Sequence, residues 1–254
     1  MLAISFFLGV YYIKKVTERD KLPFDPFLNV AYLLIIGGIV GARLSYVLFH
    51  LSEFAGRWTD SFNPFGSGEF GIAGLNLYGG VALGVLSAWA YCYFKKLNVL
   101  QVFDYFAPTL GLGLAITRIG CFLNGCCFGV PTNLPWGVSF PQGTLPYAVF
   151  GDRLLHPTQL YSSLYGLMLF FLLNYVLKHR KFFGQGVAIV FMVEAVFRFS
   201  IEYIRYYEDA MYFSIGGLNP TYNQAGSVLL FVIGLLIYLT KRKTSITSEP
   251  VIPA

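Results

Sequence analysis

Three arginines lie inside long apolar stretches of the chain: Arg43, Arg118 and Arg198. A charged side chain at membrane depth costs about 2.5–3.5 kcal/mol on insertion scales, so such groups face a bundle interior and either pair or perform a task. At 1.5 Å of helical rise per residue, each would lie roughly 20–24 Å from the inner end of its stretch. Like charges gathered at one level require an anion or carboxylates to neutralise them. Glu194, Arg198, Glu202 and Arg205 follow i, i+4, i+8, i+11 spacing, one stripe of a helix on which Glu194 and Glu202 can each pair with Arg198. That ladder leaves Arg43 and Arg118 without carboxylates. Guanidinium forks grip phosphate bidentately, so the implied ligand is a phospholipid headgroup entering from the outer leaflet.

A second concentration of chemistry runs from Thr117 to Gly129. Gly120, Gly125 and Gly129 allow turns or close backbone approach, Asn124 adds a donor and acceptor expected to be buried, and Cys121, Cys126 and Cys127 bring thiols. Those thiols could bridge, bind metal, exchange or simply pack. Adjacent Cys126-Cys127 lacks the C-x-x-C spacing of common redox sites, and zinc needs more ligands than are visible. A local disulfide or plain packing therefore ranks ahead of redox catalysis, and no metal or cofactor is expected. Tyr78-Gly79-Gly80 sets a phenol beside two glycines, and His156-Pro157-Thr158-Gln159 opens an apolar stretch. There His156 serves as a helix cap or as a catalytic group, and Thr158 is an alternative cap.

The elements that must position these residues are membrane helices. Of 254 residues, 56% are apolar and only 12% charged, with a mean hydropathy of +0.61; this excludes disorder, a nucleic-acid-binding domain and a disulfide-stapled secreted module. A bilayer core needs about 20 helical residues, and stretches 28–51, 76–94, 102–123, 158–177, 185–205 and 223–240 qualify. The opening run 1–13 is apolar but short, and counts as a partial first span, giving about seven. It has neither the basic start nor the small-residue cleavage site of a signal peptide. Twelve of the 18 Lys and Arg residues fall on one side (Lys14 to Lys21, Lys95 and Lys96, Lys178 to Lys181, Lys241 to Lys243), and only Arg57, Arg153 and Arg205 on the other. The positive-inside rule then puts the amino terminus outside and the carboxyl tail in the cytoplasm. The expected fold is an all-α polytopic membrane protein: one transmembrane domain over 1–243, a small external cap over 129–157 between the fourth and fifth spans, and a disordered cytoplasmic tail over 244–254. No internal repeat supports a transporter.

Several separated motifs, in one order, resemble the prolipoprotein diacylglyceryl transferase family of bacterial inner membranes. Arg118, Gly120, Asn124, Gly125 and Gly129 match its signature G-R-x-G-N-x-x-N-G-E-x-x-G; Asp104 with Ala107-Pro108 matches an upstream element. His156 through Tyr161, the Arg198, Glu202 and Arg205 set, and Gln224 with Ser227 match further blocks. The resemblance implies transfer of a diacylglyceryl group from phosphatidylglycerol to the lipobox cysteine of a prolipoprotein signal peptide. Arg118 and Arg198 would hold the lipid phosphate with Arg43 in support, and Arg205 would line the substrate site. Glu202 would position Arg198, and Asn124 with Gly79, Gly80, Gly120, Gly125 and Gly129 would shape the pocket. Among the chain's departures from the family, Tyr78 replaces the histidine of His-Gly-Gly, Cys121 the signature asparagine, and Cys126 the signature glutamate. An ordinary phenol titrates near 10, so Tyr78 is expected to hydrogen-bond unless strongly activated, and His156 is the second candidate base. The departures leave room for a paralogue that serves another acceptor, or for an outer-face thiol-disulfide protein.

Overall fold

The computed structural model describes residues 1–51, 76–207, 212, 214 and 219–243. The segment 52–75, most of 208–218 and the tail 244–254 therefore lie outside the described residues. Eight helices are present among those described: α1 (Leu2–Arg19), α2 (Phe24–Phe49), α3 (Leu77–Phe94), α4 (Val99–Leu123), α5 (Leu145–Phe150), α6 (Thr158–Lys178), α7 (Gln185–Ile201) and α8 (Tyr222–Lys241). Backbone pairing outside them is confined to isolated bridges. Helices α2, α4, α6 and α8, of 26, 25, 21 and 20 residues with mean hydropathy 1.5–1.8, are long and apolar enough to cross a bilayer. The chain is an all-α, multi-pass membrane protein.

Helix boundaries follow local chemistry and shift several expected spans. Helix α1 continues past Ile13 through Lys14 and Lys15. It stops where Lys21 turns left-handed (φ 55°) and Leu22 N–H reaches back to the Thr17 carbonyl at 2.9 Å, a Schellman closure. Helix α3 ends in the same way at Lys96 (φ 55°), with Leu97 N–H on the Cys92 carbonyl at 2.8 Å. Helix α2 begins at Phe24, ahead of the expected 28, with Pro26 in its first turn, where a missing N–H has no intrahelical partner to lose. Helix α7 stops at Ile201, short of the expected 205.

Two compact units divide the chain. In the first, Thr17–Val99, α2 and α3 pack antiparallel on glycine. A Cβ on Gly79 would stand 2.6 Å from the Gly41 carbonyl, and one on Gly80 would stand 2.7 Å from the Gly38 carbonyl. Small residues let the backbones meet, the usual device where the hydrophobic effect cannot drive association. Asn76 N–H donates to the Ala42 carbonyl at 3.0 Å, and the Asn76 side chain caps α3 by accepting from Tyr78 N–H at 3.0 Å. At the other end Asn29 Nδ2 donates to the Tyr91 hydroxyl at 3.0 Å.

The second unit comprises Met1–Val16 and Leu100–Glu249. Helices α4 and α6 cross at Gly111 and Gly166, where a Cβ on Gly111 would lie 2.6 Å from the Phe170 backbone nitrogen. Ser163 Oγ donates to the Ala115 carbonyl at 2.7 Å beside that crossing. Helix α7 packs on both α6 and α8, and Ala107, Leu169, Leu173 and Val190 form a buried cluster. Asp104, buried in α4, accepts from Gly184 N–H at 2.7 Å and Val187 N–H at 3.0 Å. It thus caps the first turn of α7 from another helix, where the dipole favours an anion. Asp104→Ala leaves both donors without that acceptor. It is expected to lower stability by about 1–3 kcal/mol, read as a lower Tm of the detergent-solubilised protein; an unchanged Tm would show that the cap is dispensable.

Candidate active site

The motif Cys121-Phe122-Leu123-Asn124-Gly125-Cys126 is the Schellman end of α4. Gly125 is left-handed (φ 64°), its N–H reaches the Phe122 carbonyl at 3.2 Å, and Cys126 N–H reaches the Cys121 carbonyl at 3.1 Å. In this motif the third residue from the helix end and the second beyond its cap come into side-chain contact, and here both are cysteines. Asn124 occupies the cap itself and is exposed, which corrects the expectation of a buried amide. Gly120, one turn earlier, faces Met1: a Cβ there would stand 3.0 Å from the Met1 Cγ.

Cys127 is left-handed as well (φ 61°), a conformation that a non-glycine residue holds only when its surroundings fix it. The first turn of α6 does so. Thr158 Oγ1 donates to the Cys127 carbonyl at 2.8 Å, and Gln159 Nε2 to the Cys126 carbonyl at 2.7 Å. Neither Thr158 nor His156 caps α6, whose N-cap is Pro157 without a side-chain bond; Thr158 is instead committed to the cysteine segment.

The strand-like run that follows joins three parts of the chain. Gly129 N–H donates to the His156 carbonyl at 3.1 Å and His156 N–H to the Val130 carbonyl at 3.0 Å, while Val130 N–H reaches the Ile204 carbonyl and Tyr206 N–H the Phe128 carbonyl. A Cβ on Gly129 would stand 2.6 Å from both the His156 Cβ and the Ile204 carbonyl oxygen, so this position requires glycine. The same bridge draws Arg205 off the helix: it pairs with Gly129 instead of continuing the α7 stripe. Beneath it Phe128, Phe140 and Leu155 form a buried cluster with Phe122, Phe150 and Tyr206 packed around it.

Arg198 is embedded in a polar network around a wholly buried carboxylate. Its Nη2 lies 3.1 Å from Glu202 Oε1, with side-chain exposures of 23% and 0%, and donates to the Tyr207 hydroxyl at 2.8 Å. Glu202 Oε1 accepts from the Tyr207 hydroxyl at 2.6 Å, and Oε2 accepts from Thr221 Oγ1 at 2.8 Å and Asn223 Nδ2 at 3.4 Å. Glu194, the other carboxylate of the expected ladder, makes no ion pair with Arg198 among the described residues. Burial, then the hydrogen bond to Glu202, push the Tyr207 phenol up to about 12 despite Arg198 and Arg205, so it remains a donor. Thr221 also forms a capping box with Gln224 at the start of α8, so Glu202 ties the end of α7 to the start of α8.

Arg118 and Arg205 retain donors. Arg118 is half-buried and makes no hydrogen bond or ion pair among the described residues. The Arg205 guanidinium lies over the Tyr207 ring at 4.9 Å, and its buried Nε has no hydrogen-bond partner among the described residues. Both cations bear on Cys127. The hydrogen bond with the Cys121 thiol, then Arg205 and Arg118, hold the Cys127 thiol down to about 5 against its burial. Burial and the neighbouring Cys127 push Cys126 the other way. Iodoacetamide at about pH 6.5 should therefore modify Cys127 well before Cys126, as read by peptide mass spectrometry, because the thiolate is the reacting form. Equal rates would contradict this. The linked stabilisation is full above the ordinary thiol range and is lost as pH falls through about 5.

Arg118, Arg198 and Arg205 thus share one neighbourhood with Gly125, Gly129, Glu202 and His156. The half-buried His156 ring has a nitrogen 3.3 Å from the Tyr161 hydroxyl, which accepts from Trp136 Nε1 at 2.7 Å. Arg43, Tyr78, Gly79 and Gly80 belong to the α2–α3 unit. There Arg43 is half-buried with its guanidinium 5.9 Å from the Tyr46 ring centre, Tyr78 is 75% exposed, and the two glycines serve the helix contact. Tyr207, Thr221 and Asn223 were not legible as site residues in the sequence, since nothing in their spacing points to Glu202.

The chain is thus a multi-pass helical membrane protein with arginine donors around a glycine-bent helix end. The chain belongs to the prolipoprotein diacylglyceryl transferase family, whose sequence model matches residues 1–240. Three relatives bear the name phosphatidylglycerol–prolipoprotein diacylglyceryl transferase. That of Finegoldia magna is 30% identical, over 98% of this chain and 92% of its own. That of Thermotoga maritima is 32% identical, over 96% and 80%, and that of Campylobacter curvus is 35% identical, over 97% and 88%.

Proposed function

We propose that this protein transfers the diacylglyceryl group of phosphatidylglycerol to the lipobox cysteine thiol of prolipoproteins, the first step of bacterial lipoprotein maturation. The bond between the glyceryl carbon and the phosphate oxygen breaks and a carbon–sulfur thioether forms. The thiol proton passes to a base, and glycerol phosphate leaves. Such a displacement needs cationic donors where negative charge grows on the departing phosphate. Arg118 and Arg198 hold that phosphate, with Arg205 in support, while Glu202 and Tyr207 keep Arg198 oriented. His156 takes the thiol proton. Asn124 and the glycines at 120, 125 and 129 shape the pocket.

The observation that most supports this reading is the pair of arginines with uncommitted donors, Arg118 and the buried Arg205 Nε, beside a third whose orientation is fixed by Glu202. The topology in this reading has seven spans, α1 to α4 and α6 to α8, within one transmembrane domain over 1–243. The segment 129–157, including α5, is an external cap, and the positive-inside distribution puts the amino terminus outside and the carboxyl tail in the cytoplasm of a bacterial inner membrane. Expression in a strain depleted of its own diacylglyceryl transferase tests the assignment. Restored growth and lipoprotein processing are expected; failure with the protein stably inserted would overturn it in favour of another acceptor.

A further inference from the structure

The three thiols of Cys121, Cys126 and Cys127 have no part in the displacement described above, yet the fold spends unusual geometry on gathering them. The Schellman end of α4 brings Cys121 and Cys126 together, and the left-handed Cys127 backbone, held by Thr158, turns the third sulfur into the same space. All four cysteines of the chain are free thiols, and the three sulfurs here lie within 4.8 Å of one another. A metal–thiolate bond of about 2.3 Å puts three sulfurs of a trigonal site about 4 Å apart, so a shift of less than about 1 Å closes the ring. Among the described residues no fourth His, Cys, Asp or Glu joins the cluster, which disfavours tetrahedral zinc and suits a soft cation content with three sulfurs.

We propose that Cys121, Cys126 and Cys127 form a three-coordinate thiolate site for a soft monovalent d10 cation, Cu(I) being the fitting ion. Charge supports that choice. Three thiolates around a monovalent ion carry two negative charges, and Arg118 and Arg205, the cations that bear on Cys127, carry two positive ones. Near neutral pH Cys127 is already the thiolate, so binding releases two thiol protons to solvent, from Cys121 and Cys126, and needs no change in oxidation state, provided the metal arrives as Cu(I). Sequence spacing alone hides the site because a vicinal pair five residues from a third cysteine looks like packing until the helix end folds back on itself.

The test is an anaerobic titration of the full-length, reduced, detergent-solubilised protein with Cu(I) against a chromogenic Cu(I) chelator, with copper X-ray absorption on the loaded sample. One equivalent per chain and a shell of three sulfurs are expected. Cys121→Ser, Cys126→Ser and Cys127→Gly should each weaken binding by about 100-fold or more, while Cys92→Ser, in α3 of the other unit, should bind as the parent does. Cys127→Gly keeps the test informative if the serine variants misfold, because glycine accepts the φ of 61° found there. No stoichiometric uptake, a shell dominated by nitrogen or oxygen, or undiminished binding in the three variants would overturn the proposal. So would a preference for Zn(II) in a four-coordinate shell.

Discussion

Replacing Arg118 with alanine is expected to slow diacylglyceryl transfer by about 10²–10³-fold, the scale on which a single preorganised donor to a developing anion contributes. The side chain is half-buried on the last turns of α4 and engages no hydrogen-bond or ion-pair partner among the described residues. Its removal therefore leaves no buried group orphaned, and the Tm of the variant should stay close to that of the parent. A fall in rate without a fall in stability is the signature of a group reserved for substrate. Arg118→Lys sharpens the test, because an ammonium keeps the charge but cannot form the planar two-point contact with phosphate; it should recover only part of the lost rate. Full activity in Arg118→Ala would remove this arginine from the phosphate site.

Glu202→Ala should have the opposite profile, with stability and activity falling together. The carboxylate is fully buried and accepts from Tyr207, Thr221, Asn223 and Arg198. Deleting one partner of a buried charge pair typically costs about 3–5 kcal/mol, since the other charge is left uncompensated. The contact with Thr221 anchors the capped start of α8, so the loss should spread to the packing of α7 on α8. Glu202→Gln separates the two roles. The amide fills the same volume and can still accept, so Tm should drop less than in the alanine variant. Arg198 loses its counter-charge, and transfer should fall by about 10-fold or more. A glutamine variant with full transfer would show that the charge of Glu202 does not position Arg198.

The all-helical membrane architecture was readable because apolar stretches near 20 residues and clustered Lys and Arg report directly on the bilayer. Ends of elements were harder. Lys21 and Lys96 terminate helices in a left-handed conformation that their residue type does not advertise, whereas Gly125 does. The stripe of Glu194, Arg198, Glu202 and Arg205 was correctly periodic only as far as the helix lasts. Tertiary pairing with Gly129 captured Arg205, and no helical period encodes a competitor seventy-odd residues away in sequence. The Thr221-x-x-Gln224 capping box was legible in principle from its spacing, but its link to Glu202 was not. Asp104 was legible only as part of a motif, and its role as a cap for α7 emerged only once Gly184 and Val187 were beside it. Gly79 and Gly80, read as pocket residues, are occupied by the contact with α2.

The most direct measurement of the central claim uses the purified protein, phosphatidylglycerol labelled in its acyl chains and a synthetic peptide bearing a lipobox cysteine. The account predicts that the peptide gains one labelled diacylglyceryl group on sulfur, that glycerol phosphate appears in equal amount, and that both products vanish together when Arg118 and Arg198 are replaced. An unmodified peptide in the presence of intact, folded protein, or transfer that persists in the doubly substituted variant, would contradict it.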